Sequence, residues 1–291
     1  MNPRIRANQI FDQLDVGETT REDYKNHIGL FLGFISNQQN FDCNSFLKFK
    51  RLLAEKTDIS ISTKNKYLVS TRIFLKEMSR MGIIPDITAN IKSFKQDKKH
   101  KRTGLDDSQV KLVWEKINQL STDCKNARLK AILALLIFQG LRQIEVVRLN
   151  VTDINLGAFT AMIRGKGHDD KESIDLHPQA VLALQSYLMI GKIADGALFT
   201  CKSNNHLNKR LTTKSIRNLV KGFLSALGID KTTHGFRHYF TTALIKEFKG
   251  DLLEVAQYTR HRSLEMLQIY NDRVKKVSDL PKYYDAFSGI I

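Results

Sequence analysis

Two arginines sit at positions that call for an explanation. Arg142 follows Gly140 and Leu141, and Arg237 lies in the run His234-Gly-Phe-Arg237-His238, each at or inside an otherwise apolar helical stretch. An unpaired buried charge is strongly unfavourable, so each guanidinium must find a partner. One reading pairs Arg142 with Glu145, three residues on and on the same helix face. The other has both forks holding a single phosphate, a task for which a planar bidentate donor is better suited than an ammonium. More reactive side chains follow in chain order: Lys166 between two glycines, His234, His261, and Tyr270 nine residues after His261. Singly, each has an ordinary explanation. Lys166 reads as an exposed turn lysine, His234 as a helix cap and His261 as a surface residue. Tyr270 competes with Tyr258, Tyr283 and Tyr284. His177 and His238 read as structural, and His100 and His168 as residues of polar loops.

The elements that must carry these side chains read as mainly α with a small antiparallel β-sheet. Thr20–Asp23 resembles a capping box, with Tyr24, Ile28, Phe31, Leu32 and Ile35 following on one helical face. A second helix carries Phe46, Phe49, Leu52 and Leu53, and a third runs from about Thr63 to Gly82. Further on, helices are expected from Asp106 to about Leu120 and from Arg128 to about Gln139, with a short one after Gly140 carrying Arg142 and Glu145. Two β-prone runs, Phe159–Arg164 and Glu172–Leu176, flank a Gly- and Asp-rich turn and predict a hairpin with Lys166 at its tip. Pro178 suits the first turn of the next helix. Helices over Thr213–Leu227, His234–Phe248, Asp251–Tyr258 and Ser263–Tyr270 follow, with a separate short one at Asp279–Phe287.

Composition narrows the partners. The 291 residues carry 46 Lys and Arg against 30 Asp and Glu, a net charge of +16 that favours a polyanion, nucleic acid first. The excess is spread along the chain: +5 over residues 1–95, +3 over 96–104 and +8 over 105–291. Lys92–Arg102 holds six basic residues and one acid, a density that repels itself and reads as an exposed, extended linker. Its Lys95, Lys98, Lys99, Lys101 and Arg102 are candidate phosphate contacts. The expected organisation is a helical module over 1–95, a basic linker over 96–104 and a second module over 105–291. The longest apolar run, Ala131–Phe138, is too short to span a bilayer. No start-of-chain segment has the pattern of a secretory signal. Three scattered cysteines form neither a disulfide framework nor a CxxC zinc site. A cytoplasmic, DNA-associated protein without a membrane partner is expected.

Read together, Gly140-Leu-Arg142-Gln-Ile-Glu145, Arg164-Gly-Lys166-Gly, His234-Gly-Phe-Arg237-His238, His261 and Tyr270 resemble the tyrosine recombinase (phage integrase) family, Xer-like or integrase-like. That family's pattern is an Arg with a nearby acid, a β-hairpin Lys, a His-x-x-Arg, a His or Trp, and a Tyr nucleophile, in that order. The resemblance covers essentially the whole chain. It implies a helical core-binding domain, an α+β catalytic domain and a site-specific DNA recombinase or integrase. Tyr270 would attack the scissile phosphate to give a 3′-phosphotyrosyl bond. Arg142, Arg237 and His261 would hold the non-bridging oxygens, Lys166 would protonate the departing 5′-oxygen, His234 would assist proton transfer, and Glu145 would orient a His or Arg. No metal or other cofactor is implied. The implied partners are duplex DNA bearing a recombination site and three further copies of the chain, in a tetramer that exchanges strands through a Holliday junction, with an accessory protein as a further option. One departure stands out. The family usually has Leu-Gly before the histidine, where this chain has Thr259-Arg260. Arg260 must therefore adopt a glycine-like backbone or the path differs, and Arg260 and Arg262 add positive charge beside His261 as candidate phosphate contacts. A type IB topoisomerase shares these residues, and a DNA-binding protein that has lost catalysis would share the charge.

Overall fold

The computed structural model describes residues 3–37, 41–96, 103–165, 167, 170–201, 208–261, 263–286 and 288. Lys98, Lys99, His100, Lys101, Arg102, Lys166, His168, Arg262 and Phe287 lie outside them. The chain divides into two compact units, Met1–Lys98 and Lys99–Ile291.

Among its described residues, the first unit is four helices: α1 (Pro3–Asp12), α2 (Glu18–Ser36), α3 (Ser45–Glu55) and α4 (Ile61–Arg80). Their apolar faces meet in a phenylalanine-rich core built from Phe11, Phe31, Phe46, Phe49 and Phe74. The Phe31 and Phe49 rings meet edge-on with centroids 5.1 Å apart, a favoured aromatic geometry. Helix α2 starts earlier than the sequence reading has it. Gly17 stands at its N-cap, and Thr20–Asp23 lies inside the helix rather than boxing its start. The stretch after α4 is strapped back onto it, because Asn65 brackets the backbone of Phe94 and Arg72 donates to the Ile91 carbonyl.

The second unit is built around α6 (Cys124–Phe138), which is buried on nearly every side. Its start is fixed by Asp123, whose carboxylate accepts from the Lys125 and Asn126 backbone amides, four residues ahead of the expected start at Arg128. Around α6 pack α5 (Asp107–Asn118), α8 (Pro178–Gly191), α9 (Thr213–Ala226) and α10 (Thr233–Glu247). Helix α7 (Gln143–Arg148) follows α6 directly, and α11 (Leu252–Thr259) and α12 (Leu264–Asp285) close the unit against α10. The sheet has three antiparallel strands in the order β1 (Ile154–Asn155), β2 (Thr160–Arg164), β3 (Lys171–Asp175). In β2, Ala161 and Ile163 face the core while Met162 and Arg164 face out. Two residues of β1 carry too little periodicity to be read from sequence, and this strand is an addition to the expected hairpin.

The expected break between Ser263–Tyr270 and Asp279–Phe287 does not exist: α12 runs unbroken from Leu264 to Asp285, with Pro281 inside it. A proline removes one N–H and disturbs the turn before it, but the residues between Asn271 and Leu280 contain no glycine and keep the helix going.

Candidate active site

The site forms where four element ends in the second unit converge. Helix α6 stops at Gln139, and Gly140 takes φ +56° to turn the chain into α7. A Cβ at Gly140 would lie 2.3 Å from the Phe240 ring of α10, so both its conformation and its surroundings demand glycine. Arg142 then occupies the N-cap of α7. Its backbone N–H donates to Glu145 Oε2 at 2.7 Å and its Nη1 donates to Glu145 Oε1 at 2.8 Å. The local Arg142–Glu145 pairing read from the spacing is present, and Glu145 itself is fully buried. Burial alone would raise the Glu145 carboxyl, but the Arg260 charge and the hydrogen bonds from Arg142 outweigh it and hold the group below its ordinary value.

Arg237, on α10, is buried and reaches two other ends of the site. Its Nη1 donates to the Gly140 carbonyl at 2.8 Å and its Nη2 to the Thr259 carbonyl, the last residue of α11, at 2.6 Å. Burial pulls its pKa down to about 10, with the Arg142 and Arg260 charges acting in the same direction. Helix α10 is tied to α7 by Gln143, which donates to the Thr233 hydroxyl.

At the end of α11 the Thr259 hydroxyl donates to the Val255 carbonyl, which leaves that oxygen to accept from His261 Nδ1, 2.8 Å away. Arg260 takes the left-handed conformation at φ +54°, where a non-glycine residue costs about 1 kcal/mol. The glycine-like path anticipated for this position is therefore followed. Its guanidinium turns inward, with Nη2 3.3 Å from Glu145 Oε2 and Nε 3.5 Å from Glu172 Oε1 on β3.

Tyr270, on α12, is the buried member of the four candidate tyrosines, 6% exposed against 47% for Tyr258 and 61% and 64% for Tyr283 and Tyr284. Its ring lies 6.1 Å from that of His261 and 5.1 Å from that of His238. Burial pushes its phenol up to about 12, against the pull of the Arg237 and Arg142 charges. His234, exposed at the start of α10, meets His238 edge-on at 4.6 Å. Tyr270 and His238 also line a cavity of about 630 Å³ between the start of the unit, α10 and α12.

The structure thus gathers Arg142, Glu145, His234, Arg237, Arg260, His261 and Tyr270 in one region. Lys166 lies outside the described residues, though β2 and β3 on either side of its turn are in place, with Arg164 opposite Lys171. Lys95 is exposed in the first unit. His238, read from sequence as structural, has its ring against the tyrosine; its spacing of four from His234, one helical turn, was the available signal. His177 is structural: it caps α8 and stacks on Phe138. Among the described residues, no group of His, Cys, Asp and Glu has the arrangement of a metal site.

Guanidinium groups and imidazoles around one phenol suit attack on a phosphate diester, where charge grows on the equatorial oxygens. The profile of the phage integrase family matches residues 105–276, more than half of the chain. The chain belongs to that family. A tyrosine recombinase XerC from Herpetosiphon aurantiacus is 29% identical over 87% of this chain and 85% of its own length. Tyrosine recombinase slr0733 from Synechocystis is 28% identical over 78% and 72%. The structure of the XerH site-specific recombinase bound to a palindromic difH substrate superposes with a TM-score of 0.70, at 20% identity, over 91% of this chain and 81% of that one. A lambda integrase dimer bound to a core site gives 0.69 at 14% identity over 92% and 93%. These two share the fold, mainly helical with a small antiparallel sheet. As a member of this family, the chain is a tyrosine-type recombinase. Among the described residues, no helix of this integrase is long and apolar enough to cross a membrane.

Proposed function

We propose that this integrase cleaves and rejoins duplex DNA at a specific site through a covalent bond to Tyr270. The observation that carries the reading is the buried Tyr270 phenol, which feels the charges of both Arg237 and Arg142 and sits beside the His261 and His238 rings. The Tyr270 oxygen attacks the scissile phosphorus in line. The new O–P bond forms as the P–O5′ bond breaks, leaving a 3′-phosphotyrosyl link and a free 5′-hydroxyl. A phenol with a pKa near 12 is neutral at physiological pH, so its proton must leave during attack, with His234 assisting the transfer while His261 helps hold the non-bridging oxygens. Arg142 and Arg237 neutralise the non-bridging oxygens and Lys166 supplies the proton to O5′. Reversal by an incoming 5′-hydroxyl rejoins the strand with no external energy source, since one ester has been exchanged for another. Cationic side chains act where another enzyme would use a metal ion, so cleavage should persist in excess EDTA.

The helical first unit serves as the core-binding domain, and Lys95, Lys98, Lys99, Lys101, Arg102 and Arg262 contact phosphates. One structural relative is a lambda integrase tetramer bound to a Holliday junction, with a TM-score of 0.67 at 13% identity. By the same arrangement, four copies of this chain would exchange strands between two sites. A nicked suicide substrate tests the central claim. A protein–DNA adduct that vanishes in Tyr270→Phe is expected. Binding without an adduct would leave an architectural protein, and relaxation of supercoiled DNA lacking any paired site would point to a topoisomerase.

A further inference from the structure

We infer that Arg260 is a positioning residue that acts on the scissile phosphate through Glu145 and Arg142, and that it fastens the β2–β3 hairpin to the same carboxylate. The inference rests on the recombinase reading above and extends it to a residue at which this chain departs from its family.

Three observations converge on this side chain. First, its backbone holds a left-handed conformation that glycine would adopt without strain, yet the residue there is the longest cation available. Second, it is only 8% exposed in its side chain, and its guanidinium lies between two carboxylates, Glu145 and Glu172. Nη2 meets Glu145 at 3.3 Å, Nη1 donates to the Tyr258 carbonyl at 3.3 Å, and Nε faces Glu172 at 3.5 Å. A guanidinium so enclosed is poorly placed to greet a DNA backbone directly. Third, the carboxylate it holds is the one that orients Arg142. Glu145 takes Arg142 on its backbone and side chain and Arg260 on the shared oxygen Oε2.

Each contact limits a different freedom. Without Arg260, Glu145 keeps Arg142 but loses its second cation, and the carboxylate can swing. Glu172 pairs with Ile163 in the sheet register, so the link from Arg260 to Glu172 ties β3 to the end of α11. Loss of the strut would let the arginine and the hairpin drift independently, and small displacements at a reacting centre are costly.

The test compares two suicide substrates in single-turnover cleavage at saturating DNA. One carries the ordinary scissile phosphate and the other a methylphosphonate, which lacks the negative charge that Arg142 neutralises. Arg260→Gly keeps the backbone at ease and removes only the strut. It is expected to slow cleavage of the phosphodiester on the order of 10²-fold, with a much smaller deficit on the neutral substrate, as for Arg142→Ala. Arg260→Lys, which keeps charge without the fork, should fall between Arg260→Gly and wild type. Glu172→Gln should show a milder defect that adds nothing to Arg260→Gly. Equal slowing on both substrates would mean a general structural role and overturn the inference. Weakened binding with normal cleavage at saturation would make Arg260 a plain DNA contact and overturn it too. The parent reading fails separately, by adduct formation in Tyr270→Phe or by equal slowing of Arg142→Ala on both substrates, and the inference then falls with it.

Discussion

The Tyr270 phenol is held neutral in the DNA-free protein, because burial outweighs two arginine charges. Since its folded pKa of about 12 exceeds the ordinary value of 10, the stability linked to this group is intact below pH 10 and lost as pH rises through 12. Tyr187 is pushed to the same value by burial. A pH-jump absorbance titration read before unfolding should therefore show late-ionising tyrosine signal near pH 12 that is smaller in Tyr270→Phe. Glu145 carries the opposite sign. Its depressed pKa contributes stability above the ordinary value of 4.5 that is lost as pH falls through the folded value. Glu145→Gln should flatten that acid limb. It also strips a buried partner from Arg260, and should cost about 3 kcal/mol or more in urea unfolding at neutral pH. At this scale the sequence was informative where spacing carried the signal, as for the pair Arg142–Glu145, and silent where two groups meet from distant segments. Nothing in Thr259-Arg260 announces that the arginine turns inward to a carboxylate 115 positions earlier.

Elements were legible where their ends are chemically marked. Asp106, Ser60 and Thr212 cap α5, α4 and α9 through their side chains, and each of these helices starts no more than two residues from the start expected from sequence. Boundaries failed where such marks mislead. Thr20–Asp23 has the composition of a cap but lies a turn inside α2, and Pro281 suggests a stop that α12 ignores. The turn from α6 to α7 offers the sharpest test. Gly140→Ala would force a left-handed alanine against the Phe240 ring, and should cost well over about 1 kcal/mol in urea unfolding. The Gly140 carbonyl also receives Arg237, so DNA cleavage should fall alongside stability.

Over the whole molecule, the excess of positive charge extends through both compact units instead of gathering in one tail. If Lys92–Arg102 follows phosphates, replacing its six basic residues with Gln should make the slope of log affinity against log salt shallower by about 0.9 for every phosphate no longer neutralised. An unchanged slope would make the segment a connector only. Each unit has a separate apolar core, one rich in phenylalanine and the other centred on α6, so pieces 1–98 and 99–291 should each unfold cooperatively when produced alone. The basic run over Lys92–Arg102 was readable, because charge density is a property of sequence; the three-stranded sheet order was not, because pairing is not.

Arg237 grips the carbonyls of Gly140 and Thr259, joining the turn after α6 to the end of α11, 119 positions further along the chain. Whatever it contributes during a reaction, it is also a keystone of the resting architecture. Replacing it would remove both roles at once, and an inactive variant made there would report collapse as readily as lost chemistry. On the role proposed for Tyr270, a faithful inert version of this integrase is better built by deleting one hydroxyl oxygen from α12, which leaves the Arg237 bonds standing.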